Sequence, residues 1–282
     1  MKTVYSINEA QTFIKEAKTA GKTIGFVPTM GNLHDGHLSL IHKAREQADI
    51  VIASIYVNPL QFGANEDLES YPKTLAEDQA QLKEQAVDLL FAPSSNEIYP
   101  HGMEHHTSVA VAHLSNLHCG KSRPGHFTGV ATIVCKLFNI VQPDVAVFGE
   151  KDFQQLAVIR SMVNDLCMPV KVVGAPIARN EEGLALSSRN GYLTQQELAI
   201  APALNQMLES AKQEVLSGRP YDHILRDGIA RLAQAGFKPD YLDICSRETL
   251  LPATQQDKSL VILAAAYLGK ARLIDNIQVD IN

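Results

Sequence analysis

The chain has 282 residues, long enough for a large buried core organised as one big domain or two smaller ones. Hydrophobic residues make up 45% and charged residues 20%, the balance of an ordinary soluble globular protein. A net charge of −6 argues against a nucleic-acid-binding surface, which is usually basic, yet permits a local cluster of cations around a phosphate.

Short apolar runs at residues 24–27, 50–57, 89–91, 145–148 and 170–173 read as buried strands. Between them, residues 38–48, 75–85, 129–141 and 153–166 carry helical patterns. Near-continuous apolar strands alternating with helices predict an α/β fold, a parallel sheet covered on both faces, over residues 1–176. The pattern then changes. Thr194 is placed to cap a long helix running to about Ser217 and closed by Gly218, and Asp222 to cap a second ending near Gly236. Strand-like runs follow at 241–245, 260–267 and 272–279, so residues 177–282 are expected to form a smaller α+β C-terminal domain.

The longest apolar run, 260–268, has the length of a strand, well short of the roughly 18 residues of a membrane helix. The N-terminus lacks the continuous apolar core of a signal peptide. Cys119, Cys135, Cys167 and Cys245 are widely spaced without a C-x-x-C pair, which predicts buried reduced thiols and a cytoplasmic protein.

Two segments imitate a phosphate-binding P-loop. Both Gly21-Lys22-Thr23 and Gly120-Lys121-Ser122 lack the first glycine of that motif, Glu16 and Ser115 standing in its place. No dinucleotide fingerprint and no nucleophile elbow occurs. The remaining nucleotide device is the run from Pro28 through Met30, Gly31, His34, Gly36 and His37, between the first predicted strand and a helix. Open α/β sheets bind ligands at such strand ends. A helix N-terminus there offers free N–H groups and a positive dipole end to phosphate. Glycines let the backbone approach closely. Two histidines three apart share one face near a helix start and can donate to phosphate oxygens. Either histidine alone reads better as an ordinary surface or core residue. Zinc is disfavoured because the H-E-x-x-H pattern is absent and no cysteine is near in sequence.

Four further segments follow in chain order. Asn58-Pro59-Leu60-Gln61 carries amides suited to hydroxyls and a carboxylate, though alone it reads as a plain turn. The segment Arg123-Pro124-Gly125-His126 is either an anion-meeting loop or a solvated helix entry. At Gly149-Glu150-Lys151-Asp152, a glycine and a lysine again mark a strand-to-helix junction, with Asp152 able to cap the helix. Leu186-Ser187-Ser188-Arg189 joins two hydroxyls to a guanidinium that can clamp phosphates.

His34-Asp35-Gly36-His37 resembles the H-x-G-H signature of the adenylyl-transferring superfamily. Together with Val57 through Phe62, Arg123 through Val130, Phe148 through Gln155 and Leu186 through Asn190, it makes the whole chain resemble the pantothenate synthetase family. That resemblance implies ATP-dependent joining of pantoate to β-alanine through a pantoyl adenylate, with Mg²⁺ and release of AMP and pyrophosphate. It also implies a Rossmann-like nucleotide-binding domain, a smaller domain that closes over it, and a homodimer with neither nucleic-acid nor membrane partners. By the same resemblance, Met30, Gly31, His34, Gly36 and His37 line the ATP site, with His37 the proton donor and His34 beside it on the phosphates. Gly149, Lys151 and Asp152 hold ATP, Lys151 on phosphate, and Ala178 meets adenine through its backbone. Leu186, Ser187, Ser188 and Arg189 close the phosphate side. Gln61 and Gln155 bind pantoate, with Asn58, Arg123 and His126 as further substrate contacts. Asp152 and Asp78 are the candidate Mg²⁺ ligands. The rival readings are a nucleotidyltransferase acting on a phosphorylated substrate and a non-catalytic nucleotide sensor. The amides of Asn58, Gln61 and Gln155 favour a hydroxy acid over the first, and the retained histidines, Lys151 and the Ser-Ser-Arg segment argue against the second.

Overall fold

A computed structural model describes residues 1–63, 66 and 68–281. The chain forms two units. One comprises Met1–Asn116, Arg123–Glu150 and Gln155–Pro176; the other comprises Leu117–Ser122, Lys151–Gln154 and Ile177–Asn282. In chain order up to residue 175 the elements are β1 (Lys2–Val4), α1 (Ile7–Thr19), β2 (Ile24–Thr29), α2 (Asp35–Arg45), β3 (Ile50–Ile55), α3 (Leu75–Glu84), β4 (Leu89–Phe91), α4 (Ser95–Ile98), α5 (Cys119–Ser122), α6 (His126–Val141), β5 (Val145–Gly149), α7 (Phe153–Asp165) and β6 (Lys171–Ala175).

The first unit is built on a six-stranded parallel sheet in the order β1-β4-β3-β2-β5-β6. Its central strands bury both faces: Phe26, Ile52, Leu89 and Val147 expose nothing to solvent. That double burial is why they appear in the sequence as apolar runs without alternation. β2 lies between β3, which follows it, and β5, which returns after a long excursion. Strand order therefore reverses beside β2, and the crevice at the carboxyl ends of β2 and β5 is where such sheets receive ligands.

The second unit adds α8 (Gln195–Ile200), α9 (Ala203–Leu216), α10 (Tyr221–Gln234) and an antiparallel sheet β7 (Lys238–Ser246), β8 (Ser259–Leu268), β9 (Ala271–Asp280). Leu208, Ile224, Ile262 and Ala266 belong to its apolar core. The early segment joins this unit through polar ties. His118 Nδ1 lies 2.7 Å from Asp243 Oδ2 and its Nε2 lies 2.8 Å from the Leu250 carbonyl. Gln154 accepts from the Cys119 N–H at 3.1 Å and donates to the Leu117 carbonyl at 2.7 Å.

The α/β class with a smaller α+β unit is as the sequence predicts. Several local expectations change. β1 and α1 are additional, α1 opening on a Ser6–Glu9 capping box. Thr194 does cap a helix, but that helix ends at Ile200, and α9 starts after Pro202. Proline has no N–H for the helical ladder and its ring crowds the preceding turn, so one long helix becomes two. Asp222 sits inside the first turn of α10, whose cap position is Pro220. α6 begins at His126, because Gly125 occupies the cap in a left-handed conformation at φ 84°. All four cysteines are free thiols, but only Cys119 and Cys245 are buried; Cys135 is half-buried and Cys167 exposed. Burial and the neighbouring Asp243 push the Cys245 thiol up to about 12. Among the described residues no helix is long and apolar enough to cross a membrane.

Candidate active site

β2 ends at Thr29, and the chain must turn sharply before α2 starts at Asp35. Gly31 permits the turn at φ 82° and Asn32 follows at φ 51°. Asp78, only 1% exposed in the first turn of α3, holds the loop from outside. Its carboxylate accepts from the Asn32 N–H at 2.9 Å, the Leu33 N–H at 2.8 Å and the Thr74 hydroxyl at 3.1 Å. His34 is the N-cap of α2, its Nδ1 accepting from the Gly36 N–H at 3.1 Å. A ring nitrogen that accepts leaves Nε2 as the donor of the neutral imidazole. The His37 ring stands 4.1 Å from the His34 ring, centroid to centroid. Two imidazoles thus lie close together, tilted by 43°, at a helix N-terminus, where the backbone dipole already favours an anion.

A second group in the same unit meets this loop. Gln61, in the short turn Pro59–Gln61 after β3, directs its Nε2 to the Met30 sulfur at 2.8 Å. Asn58 is 1% exposed, and its side chain is fully engaged. It donates to the Gly129 carbonyl at 3.1 Å and Gln61 Oε1 at 3.4 Å, and accepts from the Tyr99 hydroxyl at 3.1 Å. This Asn58 positions Gln61 and is spoken for by protein groups. Burial raises the Tyr99 hydroxyl well above its ordinary value, keeping it a donor. The turn packs against α6 where Gly129 has no side chain. A β-carbon there would collide with the Leu60 carbonyl oxygen and stand 2.8 Å from the Gln61 nitrogen.

Arg123 and His126 lie together at the entry to α6. Arg123 NH1 is 3.0 Å from His126 Nε2, and His126 Nδ1 is 2.7 Å from the Gln61 carbonyl oxygen. Arg123 also grips both carboxylate oxygens of Glu66. Burial raises the Glu66 carboxyl, but hydrogen bonds and charge from Arg123 outweigh it, leaving the group below its ordinary 4.5. Arg123 can therefore hold a carboxylate, and here the carboxylate is internal. Gln155 lies half-buried on α7 in this unit, and Gly149 ends β5 with open space where a β-carbon would stand.

The second unit holds the remaining predicted residues. Lys151 and Asp152 lie in the short turn Glu150–Asp152 that leads into α7. A small pocket is lined by Lys151, Leu184, Ala185, Ser187, Asn190 and Asp275, among others. Leu186 donates its N–H to the Ala178 carbonyl at 2.9 Å, and Arg179 bridges to Ala185, closing residues 178–186 into a narrow loop. Ser187 caps the turn Ser188–Tyr192, its hydroxyl accepting from the Arg189 N–H at 3.3 Å. Among the described residues no three histidine, cysteine or carboxylate side chains gather into a metal cluster. Asp78, a candidate metal ligand by sequence, is already committed to backbone and hydroxyl donors.

The family model described as pantoate-beta-alanine ligase matches residues 2–278. The chain belongs to that ligase family. A Pseudomonas putida (strain W619) protein named pantothenate synthetase is 56% identical over 283 aligned positions, covering 100% of this chain and 99% of the relative. The crystal structure of pantothenate synthetase from Thermus thermophilus superposes with a TM-score of 0.92 at 46% identity, covering 98% of this chain and 99% of that one. The Francisella tularensis pantoate-beta-alanine ligase, solved in complex with beta-gamma ATP and beta-alanine, superposes with a TM-score of 0.83 at 36% identity, covering 98% of this chain and 97% of that one.

For a member of the pantoate-beta-alanine ligases, several structurally committed residues escape a reading of motifs. Glu66, Tyr99 and Asn276 reach the motif residues Arg123, Asn58 and Lys151 from distant points in the chain, and Asp275 reaches Arg179, next to Ala178. For Asp275 and Asn276 the one trace in the sequence is polarity in a setting that should be apolar, the run Leu273-Ile274-Asp275-Asn276-Ile277.

Proposed function

We propose that this chain joins pantoate to β-alanine with consumption of ATP, forming pantothenate, AMP and pyrophosphate. The observation that carries the reading is the close His34–His37 pair at the start of α2, on a loop whose Asn32 and Leu33 N–H groups Asp78 holds, with Gln61 reaching that loop at Met30. The carboxylate of pantoate is a poor acyl donor, because its leaving group would be oxide. Attack of one carboxylate oxygen on the α-phosphorus breaks the bond to pyrophosphate and gives an acyl adenylate. The uncharged amine of β-alanine then attacks the acyl carbon, and AMP leaves with the bonding electron pair.

In this scheme residues 30–37 line the nucleotide phosphates, with His34 and His37 donating to oxygens on which charge builds. Lys151, Ser187, Ser188 and Arg189 supply further cations and donors, and Gly149 and Asp152 hold ATP with Lys151. Ala178 takes the adenine edge through its backbone. Gln61 and Gln155 bind pantoate, and Arg123 with His126 receives a carboxylate. Asn58 acts through Gln61. Mg²⁺ enters as Mg-ATP, an ion that keeps several waters and is held largely by phosphates, so it needs no dedicated protein cage. No step requires a protein nucleophile. We further assign the chain to the cytoplasm and to a homodimer, as its family resemblance implies.

The test is pyrophosphate release from Mg-ATP and pantoate, with and without β-alanine. A burst with pantoate alone, becoming steady turnover when β-alanine is added, is expected. His37→Ala should fold normally and lose about 10²–10³ in adenylate formation, the usual cost of a lost transition-state donor. Wild-type turnover in that variant, or no pyrophosphate from the wild type, would reject the reading.

A further inference from the structure

β9 carries two consecutive buried polar residues, Asp275 at 4% and Asn276 at 3% exposure. A buried carboxylate and a buried amide are costly unless each finds partners. For fold stability alone, apolar residues of similar volume serve as well as a buried ion pair. Their partners explain the choice. Asp275 receives a bidentate pair from Arg179, at 2.6 Å from NH1 and 2.9 Å from NH2, and Arg179 NH1 also donates to the Gly183 carbonyl at 3.1 Å. Asn276 donates its amide to the backbone carbonyl of Lys151 at 3.0 Å, across 125 positions of sequence. The Asn276 backbone N–H donates to Asp275 Oδ1 at 2.8 Å, which anchors the carboxylate on the strand that carries both residues. One dipeptide of β9 thereby fixes both the turn bearing Lys151 and the loop running from Ala178 towards Ser187, and Lys151, Ser187 and Asp275 line one cavity.

We propose that Asn276 is a positioning residue for Lys151, fixing the backbone of the turn from which the lysine reaches ATP phosphate. Asp275 does the same for the Ala178 loop through Arg179. The inference rests on the reading that Lys151 holds phosphate. A long lysine side chain has many rotamers, and a fixed backbone carbonyl limits where its charge can go. The carbonyl itself is inert; what the amide contributes is orientation.

The test uses Asn276→Leu, which keeps the volume and removes the donor, and Asn276→Ala, which removes both. Lys151→Ala is measured beside them. Binding of a non-hydrolysable ATP analogue, KM for ATP and for pantoate, kcat and the thermal midpoint are read for each. Both Asn276 variants should weaken analogue binding and raise KM for ATP by about tenfold, in line with the loss of one buried hydrogen bond, with KM for pantoate unchanged. If the alanine variant does not fold, the leucine variant carries the test. Lower kcat with unchanged KM for ATP would mean only a smaller active fraction, and would overturn the positioning role. Unchanged analogue binding in Asn276→Leu while Lys151→Ala loses it would also overturn that role alone. Unchanged analogue binding in Lys151→Ala would overturn the phosphate reading of the lysine, and the proposal with it.

Discussion

Replacing Asp78 by asparagine alters one atom of a side chain that organises the histidine loop. The native carboxylate accepts two backbone N–H groups and one hydroxyl at 1% exposure. An asparagine has one acceptor oxygen, so it can serve either Asn32 or Leu33. Its NH₂ must then face the other N–H, donor against donor. Hydrogen bonds to a charged acceptor contribute about 1.5–3 kcal/mol each, and a buried donor left unmade costs about 1–3 kcal/mol. The substitution also removes the cost of burying a charge, which lowers the net effect. We expect destabilisation of about 2–4 kcal/mol in urea unfolding at neutral pH. The loop between Gly31 and His34 should move as well, and a displacement of about 1 Å near reacting groups can cost about 10²-fold in rate. Pyrophosphate release in the first half-reaction should therefore fall much further than the folded fraction does. An unfolding free energy within about 0.5 kcal/mol of wild type, the range of an unremarkable surface change, with an altered Mg²⁺ requirement, would refute the argument and return Asp78 to the role of metal ligand.

Two other outcomes follow from the same unit. Gly129→Ala would drive a β-carbon into the Leu60 carbonyl and place it 2.5 Å from the Leu60 carbonyl carbon, both backbone atoms. Overpacking of this kind costs about 1–3 kcal/mol or more, and the displaced Gln61 turn should raise KM for pantoate while KM for ATP stays near wild type. The Glu66–Arg123 pair predicts a pH dependence. Because the Glu66 carboxyl is held below 4.5, its contribution is complete above that value and is lost as pH falls through the lower folded one. The difference in urea midpoint between wild type and Glu66→Gln should therefore shrink as pH drops from 4.5 downward, and a constant difference would contradict the assignment.

The parallel sheet is legible in the sequence because double burial imposes uninterrupted apolar runs, which few other environments demand. The loop from Gly31 to His37 is legible for a similar reason, since glycines and paired histidines at a strand end have few bland explanations. β1 escapes notice because three residues, Lys2 to Val4, carry no periodicity. The break at Pro202 is masked because the 3.6-residue pattern continues past it, while the absent N–H decides the structure. Asn58 reads as a substrate ligand because sequence displays its amide and hides Tyr99 and Gly129, which occupy it. The roles of Asp275 and Asn276 are hidden for the same reason, their partners lying 96 and 125 positions away. Local chemistry is written in neighbouring letters, while satisfaction of buried polar groups is a property of the folded chain.

The two short insertions of the second unit, Leu117–Ser122 and Lys151–Gln154, bear on how this protein can be taken apart. The backbone leaves one unit and enters the other after Asn116, Ser122, Glu150, Gln154 and Pro176. No single cut yields two self-sufficient pieces. A fragment starting at Ile177 would lack Leu117–Ser122, with His118 and its bonds to Asp243 and Leu250, and would lack the turn that bears Lys151. Its partner fragment would carry those segments with their polar groups stripped of acceptors. Exchange of C-terminal halves between relatives must therefore transfer three stretches of sequence together.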